Sequence, residues 1–106
     1  RGIDDVVVSL KSGNVEKIVN QIDNSIEITL VDNSDTYSQN QAEAVLRDFF
    51  KIHPVKDFQL LHQGSNSGSH FCIGVLKTSK GDYRTTIFMK LKDSREMLEE
   101  IKFESK

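Results

Sequence analysis

Tryptophan is missing from this chain of 106 residues, and proline and cysteine each occur once. The single Cys72 excludes an internal disulfide. It leaves the compartment open, because an exported domain of this size can do without one. No apolar run approaches the roughly 18 residues that a membrane-crossing helix needs. Neither sign of charge dominates: 14 basic and 16 acidic residues give a formal net charge of −2. Nucleic-acid binders carry a basic excess or stripe, so nucleic acid is set aside as a partner. Nucleophile-elbow, phosphate-loop, dinucleotide-fold and paired zinc-ligand motifs are all absent. No signal-peptide pattern, linker, repeat or low-complexity segment is visible. The chain opens at Arg1-Gly2 without Met and enters a helical pattern almost at once. The expectation from that opening is a precursor segment removed upstream.

What remains is the length and composition of one domain, residues 1–106, able to bury a core without staples. Asp4 and Asp5 suit the positive end of a first short helix, in which Ile3, Val7 and Leu10 recur at helical spacing. Ser12-Gly13-Asn14 stops that helix and caps a second, with Val15, Ile18, Val19 and Ile22 as its apolar stripe. Ile26 to Val31 alternates as a half-buried strand. Asp32-Asn33-Ser34-Asp35 reads as a loop. Ser38-Gln39-Asn40-Gln41 is a capping box, and Ala42, Val45, Leu46, Phe49 and Phe50 follow as a helical stripe that ends at His53-Pro54.

The second half reads as strands: Asp57 to Gln63, Phe71 to Thr78 and Tyr83 to Leu91. They are joined by a loop over 64–68 and a hairpin turn over 79–82. Gly13, Gly64, Gly68 and Gly81 are assigned to turns. Arg95 to Glu104 fits a helix through Met97, Leu98 and Ile101, and a strand through Met97, Ile101 and Phe103. The strand is preferred, because a hairpin series with an unpaired edge invites a last partner. Helices early and a meander late imply an α+β domain. Two short helices and one longer one pack on one face of a bent antiparallel sheet.

That order resembles the nuclear transport factor 2-like, or cystatin-like, fold. At residue level, several motifs look like one family of uncharacterised, usually exported Bacteroidetes proteins (domain of unknown function 4783). They are Leu10-Lys11-Ser12-Gly13-Asn14, Tyr37-Ser38-Gln39 leading to Leu46-Arg47-Asp48-Phe49-Phe50, His62-Gln63-Gly64-Ser65, and Ile73-Gly74-Val75-Leu76-Lys77-Thr78. Where such proteins typically end in a Gly-rich turn and a Gln-rich strand, Asp93-Ser94 and Glu99-Glu100 stand here. The resemblance implies the fold and export to the periplasm or cell surface. It supplies no catalytic residues.

The fold implies a cone-shaped pocket that relatives use for small molecules. Enzymes of this shape place an acid and a Tyr within apolar walls. Tyr83 and Glu99, with Tyr37 at the mouth, are the candidate ligand-binding residues. The plainer reading of Glu99 is a carboxylate in water at a sheet edge. His62, His70 and Cys72 form a second constellation, three ligands for an open zinc site. A one-residue slip would put His62 on the other face. The plainer reading, a surface His pair and a small buried Cys, is preferred, because fixed ligand spacings are absent. No metal and no cofactor is expected.

The expected function is a non-enzymatic binding or interaction domain, taking a small-molecule or protein ligand. The alternative is a small-molecule-binding or isomerase-like enzyme using the cone. Two ionisable groups converging in an apolar cavity would favour the enzyme. A cone plugged by Phe49, Phe50 and Met89 would favour the interaction domain. The strand alternation leaves Phe71, Ile73, Val75 and Phe88 on the sheet face opposite the helices, which points to a homodimer through that face.

Overall fold

A computed structural model describes residues 2–106. The first helix, α1 (Ile3–Ser12), carries its acids in the first turn and Lys11 in the last. It ends where Gly13 takes φ 66°, a left-handed conformation that Gly enters without steric cost. Asn14 then caps α2 (Val15–Val19), its side-chain oxygen accepting the Lys17 N–H at 3.1 Å. The capping box of α3 (Gln39–Ile52) is formed in full. Ser38 Oγ accepts from the Gln41 N–H at 3.3 Å, and Gln41 Oε1 accepts from the Ser38 N–H at 3.0 Å.

Six strands form one sheet: β1 (Ile22–Leu30), β2 (Asn33–Ser38), β3 (Val55–Asn66), β4 (Ser69–Thr78), β5 (Gly81–Lys92) and β6 (Arg95–Ser105). Their spatial order is β2-β1-β6-β5-β4-β3. Four pairings are antiparallel, as the hairpins require, while β1 joins β6 in parallel. The parallel pairing follows from the topology, because the chain leaves β1, passes through β2, α3 and the β3–β5 meander, and returns beside β1. Bulges interrupt the ladders at Ile22/Glu27, Leu60/His62 and Phe88/Met89. Each bulge adds local twist and bend, which is how a sheet wraps around helices.

The parallel β1–β6 pairing makes the sheet mixed where an all-antiparallel one was expected, and three further features depart from the sequence reading. Residues 33–38, read as loop and cap, form the edge strand β2. The turn into it is Val31-Asp32, with Val31 at φ 60°. β2 pairs with β1 from Leu30↔Asn33 to Ser25↔Ser38, yet its first four residues are all exposed, so no apolar alternation marks it. Ile22 belongs to β1 rather than to the stripe of α2. Gly64 is not at a turn. It lies inside β3 opposite Phe71, whose ring covers it: a Cβ built on Gly64 would come within 2.7 Å of that ring. A strand glycine marks close approach as well as turns.

All three helices lie on one face. Between them and the sheet sit Val6, Leu10, Ile18, Leu46, Phe58 and their neighbours, each fully buried. Gly74 packs against Phe58 and the Gln59 backbone, both 2.5 Å from where a Cβ would stand, so the Phe58 ring fills the space above it. The α3 stripe docks by aromatic contact. Phe49 stacks on Phe103 with centroids 4.9 Å apart and planes at 21°, and Phe50 meets the same ring edge-on at 6.0 Å. Truncating Phe49 to Ala removes both the buried area and the stack. Urea unfolding should register a loss of about 3–5 kcal/mol, and a loss below about 1 kcal/mol would remove α3 from the core.

Candidate functional site

The interior of the cone is occupied by side chains. Phe49, Phe50 and Met89 are all buried there. Tyr83 stands edge-on to Phe49 at 5.6 Å, and His53 stacks on Phe49 at 4.4 Å. His53 Nδ1 donates to the Phe49 carbonyl at 2.9 Å, which fixes that ring as the end plug of α3. Tyr83 is thus a wall of the aromatic core. Tyr37 lies half-buried on β2 and packs against the edge of the same core.

Glu99 does not join them. It is the extra residue of the β5–β6 bulge, between Phe88↔Glu100 and Met89↔Leu98, and it is exposed. Met89 stands six residues along β5 from Tyr83, about 20 Å along the strand. Glu99 lines a small surface dip with Asp23, Lys90 and Lys92. There Lys92 Nζ donates to Asp23 at 2.5 Å, and this hydrogen bond raises the Lys92 pKa.

The second constellation divides between the two faces. His62 pairs with Ile73, while Gln63 pairs with Cys72 and Ser65 with His70. The bulge at Leu61 thus makes the one-residue slip that separates His62 from the other two. His62 tilts against the ring of Phe71 at 5.8 Å. His70 has its own partners: Glu96 Oε2 lies 3.1 Å from Nδ1, and Gln63 Oε1 lies 3.2 Å from Nε2. Among the described residues no three His, Cys, Asp or Glu side chains gather as a metal site. The His70–Glu96 link, which ties β4 to β6, carries no sequence signal, because its residues stand 26 apart with no shared motif.

One recess is a surface groove of about 580 Å³ lined by Gly2, Asp5, Asn20, Gln21 and residues 94–97. It mixes acids, amides and Arg95 without an apolar wall beyond Met97. The open face of the sheet differs. Its first row runs Glu100, Phe88, Phe71, Gly64 across β6, β5, β4 and β3. Its second runs Lys102, Thr86, Ile73, His62, and its third Glu104, Arg84, Val75, Gln59. Val75 is buried, while Phe71, Ile73 and Phe88 are half-buried, and the Phe71 ring lies over Gly64. An apolar centre thus spans β4 and β5, bordered by the charged residues of β6, by Arg84, and by Asp57, Lys77 and Asp82 beyond the third row.

A family model described as a domain of unknown function, DUF4783, matches residues 3–104. The chain belongs to the DUF4783 family. A DUF4783 protein from Bacteroides uniformis is similar over 100% of this chain and 98% of that one, with a TM-score of 0.95 and 24% identity. One from Bacteroides ovatus covers 96% and 93%, with a TM-score of 0.92 and 24% identity. A domain of unknown function with a cystatin-like fold from Nostoc punctiforme covers 97% of this chain and 72% of that one, with a TM-score of 0.73 at 13% identity. The fold of this DUF4783 chain is therefore of the nuclear transport factor 2-like and cystatin-like kind. No curated protein matches the chain. No helix among the described residues is long and apolar enough to cross a membrane.

Cys72 sits on the helix-facing side of β4, and burial pushes its thiol up to about 11 from 9.0. A raised thiol pKa leaves stability intact below pH 9. It withdraws stability as pH climbs from 9 towards 11, because only the unfolded chain ionises there. The advantage of wild type over Cys72→Ala, read from urea unfolding, should therefore shrink by roughly 2 kcal/mol between pH 8 and pH 11. An advantage constant over that range would contradict the buried thiol.

Proposed function

We propose that this DUF4783 chain is a non-enzymatic interaction domain of an exported bacterial protein, and that its working surface is the open face of the sheet, where a second copy docks. The carrying observation is the pairing of Phe71 with Phe88 beside Ile73 on the face that no helix covers. A lone sheet face turned to water reads as polar, and a flat apolar centre with a charged flank is the anatomy of an interface.

The filled cone supports the same reading from the inside. A ligand pocket for drug-sized molecules takes some 300–1,000 Å³ and converging polar groups, whereas Phe49, Phe103 and Tyr83 are in ring contact where such a pocket would open. The separation of Tyr83 from Glu99 speaks against the isomerase-like alternative. The two longest molecular dimensions, 38 and 29 Å, frame a face able to supply the roughly 800 Å² per partner that stable interfaces bury. Export rests on the family resemblance, and the two similar DUF4783 structures come from Bacteroides species.

Sedimentation velocity at micromolar concentration tests the docking. The expected result is a dimer that Phe71→Asp and Phe88→Asp each convert to a folded monomer. A wild-type monomer, unaffected by either substitution, would sink the reading. Recovery of the protein from the cytoplasmic fraction of its native host would remove the export.

A further inference from the structure

Gly64 and Gly74 are the two glycines of this chain that do not take a positive φ, so the backbone conformation requires neither of them. Each is a place in a strand where a side chain is left out for a ring. At Gly74 the reason lies inside the fold, because the Phe58 ring occupies that space in the core between sheet and helices. Gly64 lies on the open face, where no helix covers the sheet and there is no core to fill. Glycine within a strand weakens it, and alanine is ordinarily the better residue.

The Phe71 ring leans from β4 towards the sheet edge and rests its far end on Gly64. A Cβ at position 64 would stand 2.7 Å from Cε1 of that ring and 2.9 Å from Cζ. Carbon atoms meet at about 3.5–4.0 Å, so the ring would have to move. His62, two residues back on β3, tilts against the same ring at 5.8 Å, and Phe88 stands opposite it on β5. Displaced by a methyl group, the ring lifts from the sheet or swings back over Phe88. Either movement raises a ring above the apolar patch.

That height matters for docking and not for folding. Stacked sheets pack about 10 Å apart, and the core of an interface is packed like a protein interior. A ring standing up from the face holds two such sheets apart, whatever the orientation of the second copy. In the lone chain the same ring turns towards water.

We infer, on the dimer reading above, that Gly64 is a positioning residue of the docking face. It acts through Phe71, keeping the ring down so that a second copy closes on a level surface.

Gly64→Ala tests this in two backgrounds. In the wild-type chain, sedimentation equilibrium should show the dimer dissociation constant raised about tenfold or more, the effect of one overpacked ring in a packed interior. In the Phe88→Asp chain, a folded monomer on the same reading, the substitution should leave the urea midpoint unchanged or raise it, since Ala suits a strand better than Gly. An unchanged dissociation constant overturns the inference and leaves the dimer standing. A midpoint that falls overturns it as well, because the glycine then serves the fold instead of the docking. Wild-type protein that sediments as a monomer, or a dimer that survives Phe88→Asp, overturns the dimer reading and the role of Gly64 with it.

Discussion

The stack of Phe49 on Phe103 is the contact on which the rest of the molecule depends. Phe49 closes the longest helix, α3, and Phe103 lies on β6, with β1 on one side and β5 on the other. Holding these two rings 4.9 Å apart sets how far α3 descends into the bend of the sheet. The bend is supplied by the bulges, whose extra residues steepen the local twist. Phe50, Tyr83 and His53 then complete one aromatic cluster around the stack. These rings fill the space between α3 and the sheet. The absence of a converging acid and phenol follows from the same packing, since Tyr83 is held by rings and Glu99 is thrown outward by the β6 bulge.

The sheet treats its two faces alike in one respect. On the helix side the ring of Phe58 lies over Gly74. On the open side the ring of Phe71 lies over Gly64. In each case an aromatic from the neighbouring strand replaces the side chain that the glycine lacks, the cross-strand device that stabilises glycine within a sheet. On the helix side it lets a large ring sit without a void. On the open side it lays Phe71 flat, so that the face is smooth rather than studded with projecting rings.

The helices were legible in the sequence because their signals are local. Gly13, Asn14 and the Ser38–Gln41 box each act within four residues. The last strand was legible only through a global argument, the need to pair an open edge, because its own periodicity admitted two answers. β2 was illegible for a physical reason. Its stability comes from pairing with β1 and not from burial, and its turn is made by Val31 at φ 60° instead of by Gly or Asn. The β5–β6 turn shows the same independence from glycine: Asp93 and Ser94 both take positive φ where related chains are expected to carry glycine. The parallel β1–β6 pairing was hidden for another reason, since strand direction is set by the whole path of the chain and leaves no mark on either strand.

The candidate site was half legible. Alternation alone placed Phe71, Ile73, Val75 and Phe88 on the face away from the helices, because period two is rigid along an unbroken strand. It failed at β3, where the Leu61 bulge shifts the register and carries His62 to the open face. That shift removes His62 from Cys72 and His70, and it also places an imidazole at the rim of the apolar centre, beside Phe71. The bulge thus takes His62 away from Cys72 and His70 and in the same step sets its ring against Phe71 on the open face. Charge on that face borders the apolar centre instead of entering it: Glu100, Lys102 and Glu104 flank it on β6, Arg84 stands beside Val75, and Asp57, Lys77 and Asp82 close it at the far end of β3, β4 and β5.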